Sequence, residues 1–134
     1  MWISCWYFYE GFTFYVKLVR YMHMLLRKNR LPTNMFEDTF KKGHVFKNDI
    51  FLLKCVKLEN NEQRFGITVS KKISKKAVIR NRLKRQIREI IKTELKNIQT
   101  GVHCTIVTQP TIIKLSYKEI EKKLLQVFKH AKII

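Results

Sequence analysis

One segment constrains the fold of this chain more strongly than any other, because it is apolar along one side and cationic along the other. Projected on an α-helix at about 100° per residue, its apolar residues gather on one side: Ile79, Leu83, Ile87, Ile90, Ile91 and Ile98. The opposite side carries Asn81, Arg82, Arg85, Arg88, Lys92 and Lys96. The pattern predicts a helix from about residue 77 to residue 98, ended by Gly101, that packs on a core and keeps a cationic stripe in solvent.

The positive charge of the chain is far larger than solubility requires. Its 134 residues include 28 lysines and arginines against 10 acidic residues, a net charge of +18. Such a surface attracts polyanions, so a nucleic acid or an anionic membrane is the expected partner. A membrane-surface helix would need large apolar residues free to insert, whereas here the apolar side of the helix is required by the core. The pattern therefore favours nucleic acid.

The positive charge is densest in residues 71–88, which contain nine lysines and arginines and no acidic residue. Like charges one turn apart repel, and a bound polyphosphate would relieve that repulsion. Arginine holds phosphate bidentately and stacks on bases, and the amide of Asn81, between two arginines, can read a base edge. The alternative interpretation is a charged face that is only solvated.

Cysteine and histidine residues are too few and too scattered for a disulfide framework or a metal site. No two of Cys5, Cys55 and Cys104 lie at the spacing of metal ligands, and the four histidines are equally dispersed. The odd cysteine count fits a reducing cytoplasm. We expect Cys55 and Cys104 to be small buried residues in strands.

Residues 1–23 differ in composition from the rest of the chain, because they contain nine of its 16 aromatic residues. A signal peptide would begin with positive charge and end in small residues, and neither feature is present. A membrane span would need about 20 apolar residues, but charged residues interrupt and close this stretch. We expect an extension that is not native coding sequence, with translation beginning at Met22 or Met24 and one domain over residues 24–134.

A short amphipathic helix is predicted to follow this extension. Asn34 and Glu37 have the spacing of a capping box, which predicts that the helix begins there. Phe36 and Phe40 lie one turn apart and so share a face of the helix. Gly43 can close the helix in a left-handed turn.

The segments downstream alternate between strand and helix patterns. Residues 45–58 form an apolar run typical of one or two strands, residues 64–70 alternate as a half-buried strand, and residues 102–108 form a further strand. Ser116 and Glu119 form a second capping box. The helix that they open is predicted to bury Ile120, Leu124, Val127, Phe128 and Ala131. The order α-β-β-β-α-β-α predicts an α+β sandwich of helices packed on a small sheet.

Two adjoining motifs resemble the signature of the bacterial ribonuclease P protein family. Residues 64–72 contain a G-x-x-V-S-K-K strand motif, and residues 77–89 contain an R-N-R-x-K-R helix motif. This combination is rare outside that family, and the resemblance covers about residues 27–131. Other residues that fall where the family has them are Asn29, Arg30, Leu31, Phe36, Phe40 and Tyr117.

The resemblance implies both a fold and a role. The implied fold is ribosomal protein S5 domain 2-like, with a small mixed sheet and a left-handed strand-helix-strand crossover over residues 64–108. The implied role is that of a non-catalytic protein subunit. Its RNA partner, with magnesium, would act as the endonuclease that removes the 5′ leader of precursor tRNA. We expect one protein per RNA in the cytoplasm, no cofactor bound by the protein, and no membrane partner.

The resemblance also implies two RNA-binding sites. The contacts to the catalytic RNA would come from Arg80, Asn81, Arg82, Lys84, Arg85 and Arg88. The cleft for the single-stranded leader would draw on Phe36, Phe40, Lys54, Lys71, Lys72 and Tyr117. Aromatic rings stack on bases with little sequence preference and lysines follow the backbone, which suits a subunit that serves many leaders. Ordinary core packing is the alternative for the three aromatic residues.

Two positions depart from the family pattern, and other functions stay open. Lys54 stands where many relatives carry a strand tyrosine, and residues 108–110 replace a stretch that often carries a basic residue, so leader preference is expected to differ. A ribosomal or general RNA-binding protein fits the charge equally well, and only the family signature disfavours it. A protein nuclease would need acids that converge, whereas Asp38 and Asp49 are isolated in the sequence.

Overall fold

The computed structural model describes residues 27–134, so the predictions for residues 1–23 and for the translation start lie outside the described residues. The described elements follow the predicted order of one helix, three strands, a helix, a strand and a helix. They are α1 (Thr33–Lys42), β1 (His44–Lys47), β2 (Phe51–Lys57), β3 (Gln63–Thr68), α2 (Ala77–Glu94), β4 (Val102–Thr108) and α3 (Tyr117–His130). Short 3-10 turns precede α1 at Arg27–Asn29 and follow β4 at Pro110–Lys114.

The four strands form one mixed sheet in the order β1-β2-β4-β3. β2 pairs antiparallel with β1 and β4, whereas β3 pairs parallel with β4. A parallel pair requires a crossover connection, and α2 supplies it. The mixed α+β architecture and the crossover are therefore confirmed, and the left-handedness of the crossover stays a prediction.

The hydrophobic core lies between one face of the sheet and helices α2 and α3. Alternate residues of β2, namely Phe51, Leu53 and Cys55, point to this face and are buried. On the same face Phe65 of β3 meets Phe128 of α3, with 6.3 Å between the ring centroids. The predicted apolar side of α2 is confirmed, because Leu83, Ile87, Ile90 and Ile91 are buried and Ile79 packs against them.

The two strand cysteines are buried in this core, as predicted. Cys55 of β2 and Cys104 of β4 lie directly opposite each other across the antiparallel pair. A hydrogen bond with Cys55 and burial in the core raise the pKa of the Cys104 thiol.

The predicted start of α3 is confirmed in detail. The hydroxyl of Ser116 accepts a hydrogen bond from the backbone N–H of Glu119, and the Glu119 carboxylate accepts one from the backbone N–H of Ser116. These reciprocal bonds satisfy two donors that a helix N-terminus leaves without partners. The residues predicted to be buried by this segment are all buried: Ile120, Leu124, Val127, Phe128 and Ala131.

The α1 helix closes at Gly43 as predicted, but the predicted capping box at its start and the predicted left-handed turn at its end are wrong. The helix is capped by Pro32 without a side-chain hydrogen bond, so Asn34 lies inside the first turn and forms no capping box. Pro32 has a φ of −62°, and its fixed ring geometry sets where the chain turns into the helix. Gly43 is extended (φ −71°, ψ 143°) and not left-handed. A Cβ at Gly43 would lie 2.6 Å from the carbonyl oxygen of Thr39, so close approach explains the glycine.

The predicted end of α2 is also wrong, because the helix stops at Glu94 and not near residue 98. The side-chain amide of Gln63 donates hydrogen bonds to the carbonyl groups that follow the helix, those of Leu95, Ile98 and Gln99. Gly101 does not terminate the helix; it has a φ of +74° and leads the chain into β4. Its N–H donates to the carbonyl of Glu62, which holds the start of β4 beside β3.

Candidate nucleic-acid interface

The outward side of α2 presents side chains for an anionic partner. Asn81, Arg82 and Arg85 are exposed, whereas Leu83 and Ile87, on the inward side, are buried. The inward residues fix the helix on the core, so the cations on the other side stand on a rigid support. Of the other residues predicted to contact the catalytic RNA, Lys84 is half-exposed on the same helix.

The loop before α2 carries further cations and is held by an arginine of the helix. Its exposed lysines are Lys71, Lys72, Lys75 and Lys76. The side chain of Ile73, between them, is buried and anchors the loop. The Nη1 atom of Arg80 donates hydrogen bonds of 2.8 Å to the carbonyls of Ser74 and Lys75. Arg80, predicted as an RNA contact, therefore has a structural task in shaping this loop.

A second candidate surface lies on the opposite face of the sheet, under α1. Strand residues alternate between faces, so Gly66 points away from the core face that its neighbour Phe65 occupies. The ring of Phe36 sits directly on Gly66, since a Cβ there would lie 2.8 Å from the Cε2 atom of Phe36. One turn later, the ring of Phe40 is 40% exposed. The Nζ atom of Lys54 lies 3.7 Å from the centroid of that ring.

These contacts bring together three of the residues predicted for the leader cleft. Phe36, Phe40 and Lys54 lie along α1 and the neighbouring strand β2. Lys71 and Lys72 lie in the loop after β3. Tyr117 is on the other side of the sheet, where it packs against the core that α2 and α3 cover. Burial there raises the pKa of the Tyr117 hydroxyl, and the carboxylates of Glu89 and Glu121 add to the effect.

A pocket of about 330 Å³ continues the α1 surface toward the edge of β3. Two arginines from different elements reach it: Arg30, from the segment before α1, and Arg88, from α2. Burial lowers the pKa of the Arg88 guanidinium, and the positive charge of Arg30 lowers it further. The complete lining is Arg30, Leu31, Thr33, Phe36, Glu37, Phe65, Gly66, Ile67 and Arg88. Arg88, predicted as a contact to the catalytic RNA, thus lines the same pocket as Phe36.

The contribution of Arg30 was missing from the sequence-based site. The segment around it runs along β3: Arg30 forms a parallel bridge with Phe65, and the N–H of Leu31 donates to the Phe65 carbonyl. The side-chain amide of Asn29 donates to the carbonyl of Gln63, which ties the segment down. The family resemblance included Asn29, Arg30 and Leu31, but the hydrophobic pattern of this short segment does not show that it lies beside β3.

The acidic residues of the described chain do not converge on a site. The pKa of Asp49 is held below its usual range by a hydrogen bond from Lys123, whose Nζ lies 3.0 Å from the carboxylate. Asp38 is exposed on α1. Between residues 27 and 134, no group of three or more His, Cys, Asp or Glu side chains is placed to hold a metal ion. Among the same residues, no helix has the length and apolar character needed to cross a membrane.

One known protein family matches most of this chain. The family model described as ribonuclease P matches residues 25–132. The ribonuclease P protein component of Brevibacillus brevis is 39% identical over 110 residues, which cover 81% of this chain and 86% of the relative. The protein of the same name from a strain of Bacillus cereus is 39% identical over 110 residues, which cover 78% of this chain and 92% of the relative.

Solved structures show the same similarity in three dimensions. The RNase P protein of Staphylococcus aureus superposes with a TM-score of 0.73 at 31% identity, over 78% of this chain and 96% of that one. The RNase P protein of Thermotoga maritima gives a TM-score of 0.69 at 28% identity, over 75% of this chain and 96% of that one.

Proposed function

This chain belongs to the ribonuclease P protein family, and we propose that it serves precursor tRNA through two separate surfaces. It is the non-catalytic protein subunit of ribonuclease P, and its partner is an RNA. The outward face of α2 docks on that catalytic RNA. The surface between α1 and the sheet holds the single-stranded 5′ leader of precursor tRNA.

The docking role of α2 rests on a single observation, the exposure of its cations opposite a buried apolar side. Asn81, Arg82 and Arg85 are exposed and stand on a helix fixed by the core. Planar guanidinium groups hold phosphate bidentately, so a rigid row of them matches a folded RNA backbone. The exposed lysines of the preceding loop extend this positive surface and raise the rate of encounter.

The leader role of the α1 surface rests on its combination of rings and cations. Phe36 and Phe40 place two rings along this surface, and the half-buried ring of Phe36 lines its pocket, where bases can stack with little sequence preference. Arg30 and Arg88 line the adjoining pocket, and within the described residues the Nε of Arg30 has no hydrogen-bond partner. Glu37 also lines this pocket, but among the described residues it forms no ion pair with either arginine, so a leader phosphate would add negative charge beside two like-charged guanidinium groups.

Magnesium acts through the RNA, and one protein binds one RNA. The protein itself binds no cofactor, and the complex works in the cytoplasm. Residues 24–134 form the working domain, and residues 1–23 are not needed for it.

A reconstitution assay tests the proposal as a whole. Protein without RNA should leave precursor tRNA uncleaved in magnesium, whereas protein added to ribonuclease P RNA should lower the magnesium concentration required for cleavage. Cleavage by protein that is free of RNA would refute the proposed division of labour. A protein that binds the RNA without changing its magnesium requirement would instead support a general RNA-binding function.

The docking face is tested by the double substitution Arg82→Ala with Arg85→Ala. Each lost phosphate contact should reduce the slope of log affinity against log salt by about 0.9, so the pair should reduce it by about 1.8. The matched control is Lys118→Ala with Lys122→Ala, which removes two exposed charges from α3. Equal losses of RNA affinity in the two double variants would show that net charge and not the α2 face decides docking.

A further inference from the structure

The ammonium group of Lys54 is fixed at the end of α1 by two interactions with one residue. Its Nζ donates a 2.7 Å hydrogen bond to the carbonyl of Phe40 and lies 3.7 Å from the centroid of the Phe40 ring. The α1 helix ends at Lys42, so the carbonyls of its last turn lack partners within the helix. A cation at this negative end of the helix dipole is favoured as well. Lys54 therefore caps α1 and covers one face of Phe40.

This placement removes one face of the Phe40 ring from base stacking. A separation of 3.7 Å is a single van der Waals contact, so no base fits between Nζ and the ring. A base that stacked on this face would first have to displace the cation, and it would break the bond to the Phe40 carbonyl. The energy gained from stacking on this face is therefore offset by the contacts that Lys54 loses.

The same placement leaves Lys54 able to bind an anion. An ammonium group has three N–H donors, and among the described residues its one hydrogen-bond acceptor is the Phe40 carbonyl. Lys123 and Arg64 are paired with carboxylates, whereas no ion pair within the described part of the chain involves Lys54. Lys54 is half-exposed, so a phosphate can reach it without moving the ring.

We infer that Lys54 makes this end of the α1 surface a phosphodiester site, at which the leader is bound by its backbone and not by its base. The inference rests on the proposed leader surface and deepens it. Lys54 acts here as a specificity residue: by covering the ring it suppresses base discrimination, and by binding phosphate it keeps affinity for leaders of any sequence.

The test uses ribonuclease P reconstituted from full-length protein and its RNA, with precursor tRNAs whose single-stranded leaders are purine-rich, pyrimidine-rich or only one nucleotide long. Affinity is measured across a series of salt concentrations for wild type, Lys54→Met, Lys54→Arg and Lys57→Met. Lys57 is the matched control, since it lies on β2 but points to the other face of the sheet.

Lys54→Met should make the salt dependence of long-leader binding shallower by about 0.7, because one fewer cation contacts the single strand. It should also widen the preference for purine-rich leaders several-fold, because methionine donates no hydrogen bond to the Phe40 carbonyl and is displaced from the ring by a base more easily, and purines stack more strongly. Lys54→Arg should keep the wild-type slope, and Lys57→Met should change neither quantity.

Two results would overturn the inference while leaving the leader surface intact. One is a wild-type enzyme that already discriminates strongly between purine-rich and pyrimidine-rich leaders. The other is a Lys54→Met enzyme whose slope and base preference equal those of wild type or of Lys57→Met. A thermal melt of each variant shows whether α1 is still folded, and Lys54→Arg preserves the charge if Lys54→Met unfolds. Failure of the leader surface itself has a different signature, equal affinity of the wild-type enzyme for long and one-nucleotide leaders.

Discussion

Substituting alanine for Gly66 should disturb the leader surface through one defined clash. A Cβ at this position would lie 2.8 Å from Cε2 and 2.9 Å from Cδ2 of Phe36, and 3.3 Å from Cδ2 of Leu31. The backbone conformation at Gly66 does not exclude alanine, because its φ is not positive. The ring of Phe36 must therefore move off the sheet, and α1, which carries it, must adjust.

Two opposing effects set the size of the change in stability. Inserting a methyl group into a packed contact costs about 1–3 kcal/mol. Replacing a strand glycine by alanine stabilises the protein by about 0.5–1 kcal/mol, because alanine loses less backbone entropy on folding. A Cβ would meet two ring atoms of Phe36 and also Leu31, so we take the middle of that range, about 2 kcal/mol, and expect a net loss of about 1 kcal/mol. Urea unfolding of wild type and Gly66→Ala measures it.

The effect on leader binding should be larger than the effect on folding. A ring that leaves its seat on Gly66 no longer presents a fixed stacking surface, and stacking is worth about 1–3 kcal/mol per base. We expect affinity for a long leader to fall by about tenfold, which is about 1.4 kcal/mol, with little change for a one-nucleotide leader. Reconstituted enzyme and paired precursor tRNAs provide the assay.

A double-mutant cycle with Phe36→Leu decides whether the clash is the cause. Leucine lacks the ring atoms that a Cβ at Gly66 would meet, so Gly66→Ala should be nearly neutral in the Phe36→Leu background. The expected coupling is about 1 kcal/mol in the free energy of unfolding. The reasoning fails if Gly66→Ala costs the same in both backgrounds, or if it stabilises the wild-type protein.

Three further predictions concern the turns that hold the two surfaces in place. Gly101→Ala should destabilise the protein by more than about 2 kcal/mol, since φ is +74° and a Cβ would lie 2.4 Å from the Leu58 carbonyl oxygen; a denaturant midpoint equal to wild type would contradict this. Ser116→Ala should cost about 1 kcal/mol through the lost cap, measured by urea unfolding against Ser70→Ala, a loop serine whose hydroxyl has no hydrogen bond to the described residues. Hydrogen bonds from the backbone and side chain of Ser116 lower the pKa of Glu119. Its stabilising effect is therefore present above the unfolded-state pKa of about 4.3 and lost as pH falls through the lower folded value, so the stabilities of Glu119→Gln and wild type should converge once the pH lies below both values.

Local rules predicted the elements that depend on neighbouring residues alone. The start of α3 and its buried residues were predicted, because a capping box and a helical repeat both lie within its own sequence. The end of α2 was not predicted, because the carbonyls of residues 95–99 find their partner in Gln63, which lies on β3. Gly43 shows the same limit, since a Cβ there would lie 3.1 Å from Cys55 and Lys54 of β2. The start of α1 at Pro32 is a local feature, and it was missed because the spacing of Asn34 and Glu37 indicated a capping box.

The candidate site also contains a part that could be predicted from the sequence and a part that could not. The stripe of α2 could be predicted because one helix carries it, and Asn81, Arg82 and Arg85 are indeed exposed. For the residues of the predicted leader cleft, the order in the sequence does not show which of them lie together, because that depends on which face of the sheet each one occupies. Tyr117 lies on the core side, whereas Arg88 of α2 lines a pocket with Phe36.

The position of Arg88 links the two proposed surfaces. It stands on the same helix as Arg82 and Arg85, yet it lines the pocket of the α1 surface together with Arg30. The helix is held at its far end by Gln63, and the backbone of Gln63 in turn receives the hydrogen bond from Asn29 that fixes the segment before α1. An RNA docked on the outward face of α2 would therefore contact the same helix that contributes Arg88 to the proposed leader pocket. On the two proposed surfaces, the distance between the catalytic RNA and the leader would then be set by this helix and by the side-chain hydrogen bonds of Asn29 and Gln63.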